Sequence, residues 1–130
     1  MSVGTFFKEF CVINTLECNA FKYWKDIEIG NEVRFKVYAE QEKDNEDVDF
    51  DKDLIRVVLE KNGKDSIIGM LPKEESKIMR DILKNGWNTF FSGTICKVDE
   101  KAPYDQRISV AVYIQKMTKA ISKNNLLIIL

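Results

Sequence analysis

Between residues 31 and 40 the chain reads NEVRFKVYAE, with Val33, Phe35, Val37 and Ala39 on one side and Arg34, Lys36, Tyr38 and Glu40 on the other. Period two over this length predicts a half-buried strand. The same reading predicts strands in TFFKEFCVIN (5–14), DLIRVVLE (53–60), SIIGML (66–71), WNTFFSGTICKV (87–98) and RISVAVYIQKM (107–117), all rich in β-branched and aromatic residues. Between the third and fourth, KNGKD holds Asn62-Gly63, which supplies the positive φ angles of a tight hairpin. LECNAFKYWKDIEIG is expected to be a loop or short helical turn ending near Gly30, and EKAPYDQ a loop.

One segment breaks the period. After Pro72, suited to the first position of a helix, Glu74 and Glu75 fall where the helix dipole favours negative charge. Ile78, Met79, Ile82 and Leu83 recur at helical spacing, and Gly86 closes the helix at C′. Six strands with one firm helix predict a mainly β (α+β) domain. The expected form is a small, strongly curved six-stranded OB/SH3-like β-barrel with one or two helices, one of them over an opening. The 130 residues fit a single domain, with a core of about 5–116 and a closing stretch, 117–130. That stretch ends in LLIIL. It is expected to complete the core as a strand or short helix, with contact to a protein partner or a second copy, or a disordered tail, as the alternatives.

Composition narrows the function. Apolar residues at 45% support a core, and 32% charged residues fit a solvated surface over it. Neither a basic-then-apolar leader nor a membrane-length apolar run is present, so the cytoplasm is the expected location. Cys11, Cys18 and Cys96 lack metal-ligand spacing and are expected to be reduced, Cys11 and Cys96 acting as small hydrophobes within strands. The absence of His removes the commonest general base and metal ligand. With 20 basic and 21 acidic residues, any nucleic-acid site must be local.

Two clusters invite chemistry. The acidic run Glu46, Asp47, Asp49, Asp51, Asp53 resembles a Ca²⁺ loop, but counting from Asp49 puts Leu54 where that motif needs Gly. A solvated loop is the simpler reading. Nothing near Asp51 and Asp53 sets their pKa values apart for acid/base work, so no enzyme, cofactor or metal is expected. In KYW (22–24) a cation lies beside two aromatics. Either one ring packs in the core, or the group is a stacking platform for a base.

The order of these pieces resembles the HIRAN domain, known as a small stand-alone bacterial or phage protein and as a part of fork-remodelling ATPases. IGNEVRFKV is followed by an acidic-aromatic loop ending FDKDLIRVVLEKNG, then by IIGMLPKE and an amphipathic helix closing in NG. The likeness covers roughly residues 5 to 100 and is densest at Phe50–Val57 and Gly69–Lys73. It implies an OB-related barrel that captures a single-stranded 3′ DNA end without catalysis. Carried residue by residue, it implies stacking by Phe50 and Tyr23 and recognition of the 3′-hydroxyl by Asp51. Lys22 and Lys73 match its basic positions and would contact phosphates, to which Lys52 or Arg56 would add. This sequence departs from the family pattern in its longer EKDNEDVDF loop, in Met70 where a His or aromatic is usual, and in Asp53 where Asn is common. The other expectation is a protein-interaction or assembly module on the same barrel, with the acidic loop 44–53 closing a degenerate DNA site.

Overall fold

The computed structural model describes residues 4–18, 20, 22, 24–37 and 54–115. The strands are β1 (Thr5–Cys11), β2 (Glu32–Lys36), β3 (Arg56–Lys61), β4 (Lys64–Met70), β5 (Phe91–Val98) and β6 (Ile108–Ile114), with α1 (Lys77–Lys84) between β4 and β5. They form one antiparallel sheet in the order β1-β6-β5-β2-β3-β4. Among the described residues the protein is therefore mainly β with one α-helix, as the alternation implies.

Within β2, Val33 and Phe35 are buried and their neighbours exposed, as period two requires. Asn62 and Gly63 have φ of 55° and 78°, the backbone the β3–β4 hairpin needs. Phe10, Val12, Ile55, Val57, Ile68, Leu71, Met79 and Ile95 lie at the centre of the core. Full burial of one such side chain contributes about 1.5–3 kcal/mol. Gly93 lets the Phe35 ring lie flat against β5, since a Cβ there would meet Phe35 Cε2 at 2.7 Å.

The ladders leave β1 and β4 as the edges of an open sheet. Just beyond β1, however, Ile13 forms an isolated antiparallel bridge with Met70 at the end of β4. Each amide donates to the other carbonyl at 2.8 Å. Among the described residues this bridge joins the two edges.

Several expectations change in detail. The helix starts at Lys77 rather than Pro72, and its first turn holds no acidic residue. The Pro72 carbonyl accepts from both Ser76 N (3.1 Å) and Ser76 Oγ (2.6 Å), which closes residues 73–76 into a separate turn. Ile78 is 66% exposed, whereas Met79, Arg80 and Leu83 are buried. Gly86, at φ 92°, does end the helix. β5 starts at Phe91, because 87–90 form a turn with Phe90 N donating to Trp87 O. Cys11 is exposed rather than packed as a small hydrophobe, and Cys96 is half-buried. The segment 16–30, expected as a loop or short helical turn, holds a short 3₁₀ turn, Trp24–Asp26. The closing stretch 117–130 lies outside the described residues.

Candidate functional site

Antiparallel pairing fixes what lies at each end of the sheet. At the end where β4 runs into α1, Lys36 of β2 stands opposite Arg56 of β3, and Arg56 opposite Met70 of β4. The connection 38–53 leaves β2 and enters β3 at this same end. Lys73 is exposed three positions beyond Met70, and Arg80 Nη1 donates to its carbonyl at 3.2 Å. Lys36, Arg56 and Lys73 thus belong to this end of the sheet by register and sequence, and Arg80, itself buried, reaches the Lys73 carbonyl.

Toward the opposite end the outer face gains carboxylates, while Lys61 and Lys64 pair across the ladder at the hairpin itself. Along the outer face of β2 and β3, Glu32 and Glu60 occupy the end away from α1, and Asp65 of β4 pairs with Glu60 across the ladder. Arg34 lies between the two ends and is tied to Asp65 by an ion pair. The outer face therefore runs from carboxylates to cations as it approaches α1.

The structure separates the expected site residues. Lys73 is exposed at the cationic end. Arg56 stands there too, but it is only 7% exposed, so it lines the end from within instead of presenting an open phosphate contact. Lys22 is exposed, two positions before the 3₁₀ turn whose Asp26 carboxylate reaches Lys61 Nζ at 3.5 Å. That ion pair lies at the hairpin end of β3. Tyr23, Phe50, Asp51 and Lys52 lie outside the described residues. Trp24, the other aromatic of KYW, packs half-buried against the core. Lys36 and Arg80 were not singled out by sequence. Alternation turned Lys36 outward, but its place opposite Arg56 depends on register.

Two depressions mark the surface. A trough of about 630 Å³ crosses the outer face, lined in part by Glu32, Arg34, Glu60, Thr94 and Tyr113. A shallower apolar groove of about 400 Å³ lies between α1 and the turn before β5, lined by Asp81, Ile82, Asn85, Trp87 and Phe90. Among the described residues no group of three or more His, Cys, Asp or Glu side chains is placed to hold a metal ion. No helix among them is long and apolar enough to cross a membrane. Burial, with a smaller push from Glu17, raises the Cys18 thiol to about 12, so it is a poor nucleophile. Burial and the neighbouring Glu9 also push the Cys96 thiol up.

Comparison of this chain with known protein families, with curated proteins and with solved structures gives no match.

Proposed function

We propose that this chain is a non-catalytic, HIRAN-like module, working in the cytoplasm, that binds single-stranded DNA at a 3′-hydroxyl end. The observation that carries the reading is the cationic end of the sheet. Lys36, Arg56 and Lys73 belong to this end, where the connection bearing Phe50, Asp51 and Lys52 leaves β2 and enters β3. A phosphate backbone is attracted to such a cluster and repelled by the carboxylates at the far end, so the gradient gives a strand a direction of approach. On this reading Phe50 and Tyr23 stack on terminal bases, at roughly 1–3 kcal/mol per base. Asp51 accepts from a free 3′-hydroxyl and repels a 3′-phosphate. Lys22, Lys52 and Lys73 hold phosphates, and Arg56 stiffens the floor beneath them. The sheet on this reading curves into an OB/SH3-like barrel. The Ile13–Met70 bridge supports that closure, as does the close approach of Gly69 to Val12.

The test is fluorescence anisotropy with a short labelled single strand at modest salt, comparing a 3′-hydroxyl end, a 3′-phosphate end and a blunt duplex. Preference for the free 3′-hydroxyl strand, lost in Asp51→Ala, is the expected result. Equal weak binding to all three would leave only a general cation effect, and no binding would end the DNA reading.

A second reading is favoured by the outer trough. With Glu32 and Glu60 against one ion-paired Arg34, that surface suits a basic peptide better than a phosphate chain. There the chain is a protein-interaction module and the DNA site has decayed.

A further inference from the structure

The outer face of the sheet carries two thiols in one row. Cys11 of β1 stands opposite Ser109 of β6, and Ser109 Oγ donates to Cys11 Sγ at 3.9 Å. On the other side of β6, Ser109 pairs with Lys97 of β5. The register shifts between Ile95 and Lys97, so Cys96 is the extra residue of a bulge beside Ser109. Residues opposite one another in an antiparallel pair share a face, and Cys96 lines the outer trough. Cys11 and Cys96 therefore flank Ser109 on that face, Cys11 exposed and Cys96 half-buried. The Cys96 thiol is pushed up by burial first, then by Glu9 and Cys11, two β1 side chains that act on it across β6.

We propose that Cys11 and Cys96 hold a single copper(I) ion between them as a two-coordinate bis-thiolate. Spacing is the first reason. Two strand intervals put the backbones of β1 and β5 about 9.5 Å apart. Cysteines whose Cα atoms lie more than about 7 Å apart cannot form a disulfide without backbone movement. An ion about 2.3 Å from each sulfur widens the sulfur–sulfur span from about 2 Å to about 4.6 Å, which takes up that gap. Ligand number is the second reason. Thiolates select soft ions, but zinc and iron–sulfur clusters are closed by four ligands. Among the described residues no group of three or more His, Cys, Asp or Glu is placed to hold an ion. Copper(I), a soft ion with a filled d shell, is satisfied by two sulfurs in line. On binding, two S–H bonds break, two copper–sulfur bonds form and two protons pass to solvent, with no electron transferred. The bis-thiolate carries one negative charge, and exposed Lys97, next to Cys96 in the bulge, supplies a cation beside it. DNA takes no part in this site or in its test.

The experiment uses the reduced full chain without oxygen, titrated with copper(I) in competition with bicinchoninate, whose coloured complex reports the copper left to it. The expected result is one copper withheld per chain, by a protein of monomer mass, with two sulfur neighbours in X-ray absorption. Cys11→Ser and Cys96→Ser should each weaken retention by about 100-fold or more, because the second sulfur binds as a tethered partner. Cys18→Ser should leave it unchanged. No copper withheld overturns the proposal, as does full retention in Cys11→Ser or Cys96→Ser, or loss in Cys18→Ser. So does a dimer mass or a third sulfur, because the ion then sits between chains or on another ligand set. If a variant loses the circular dichroism of the sheet, alkylation of the parent protein by iodoacetamide decides. One equivalent of copper(I) that shields Cys11 and Cys96 together supports the site, and shielding of one alone or of neither overturns it.

Discussion

Ile13 and Met70 exchange both backbone hydrogen bonds, at 2.8 Å each, although they belong to opposite edges of the strand order. The approach is possible because position 69 has no side chain. A Cβ there would strike Val12 Cγ1 and come within 2.7 Å of the Ile13 carbonyl oxygen. Gly69→Ala should therefore push the two edges apart and destabilise the fold by about 1–3 kcal/mol. Urea unfolding measures the loss, and amide exchange at Ile13 and Met70 should quicken more than at Val110 in the middle of β6. Equal acceleration everywhere would mean the bridge does not hold the edges.

Gly93 offers a contrast in which the neighbour can be changed. In Gly93→Ala the new methyl meets the Phe35 ring, at a cost of about 1–3 kcal/mol. Adding Phe35→Leu to Gly93→Ala should recover part of that loss, so the double-mutant cycle should show a favourable coupling energy. Strict additivity would place the strain elsewhere.

Gly63 is needed for its backbone and not for space. Its φ is 78° and nothing lies within 4 Å of an added Cβ. Gly63→Ala should cost about 1–2 kcal/mol, the penalty of a left-handed residue. Gly63→Asn should cost less, because Asn tolerates that region. Thermal unfolding of the two variants tests the order.

If phosphates meet the helix end, Lys73→Ala and Lys36→Ala should each weaken single-strand binding regardless of sequence. Each should also lower the slope of log affinity against log salt by about one. Arg34→Ala, further along toward the carboxylates, should change the slope less. Anisotropy titrations at several salt concentrations measure all three.

The Cys18 thiol is pushed up to about 12, mainly by burial and secondarily by Glu17. In the unfolded chain it ionises near pH 8.5, so above that value the native state binds more protons than the unfolded one. Its contribution is intact below about pH 8.5 and is lost as pH rises toward 12. Wild type should therefore lose more stability than Cys18→Ala between pH 8 and pH 10.5, as compared by urea unfolding. Alkylation of Cys18 at pH 8 should also run on the order of 10³-fold slower than for an ordinary thiol.

The local pattern determined a good deal by itself. Alternation placed Val33 and Phe35 inward and Lys36 outward, and Asn62-Gly63 announced the hairpin, because both depend on backbone geometry within a few residues. The helix end at Gly86 was legible for the same reason. Its start was not, because Ser76 turns its hydroxyl back to the Pro72 carbonyl, a choice a helical period does not encode. The candidate site divided in the same way. Lys73 was singled out by the likeness of Gly69–Lys73 to a family turn, and the structure leaves it exposed. The placement of Lys36 opposite Arg56, the burial of Arg56 and the meeting of Ile13 with Met70 came only from register between strands far apart in sequence. Charge type is a property of the residue, but whether a charge is covered, and which other charges stand beside it, is decided by tertiary packing.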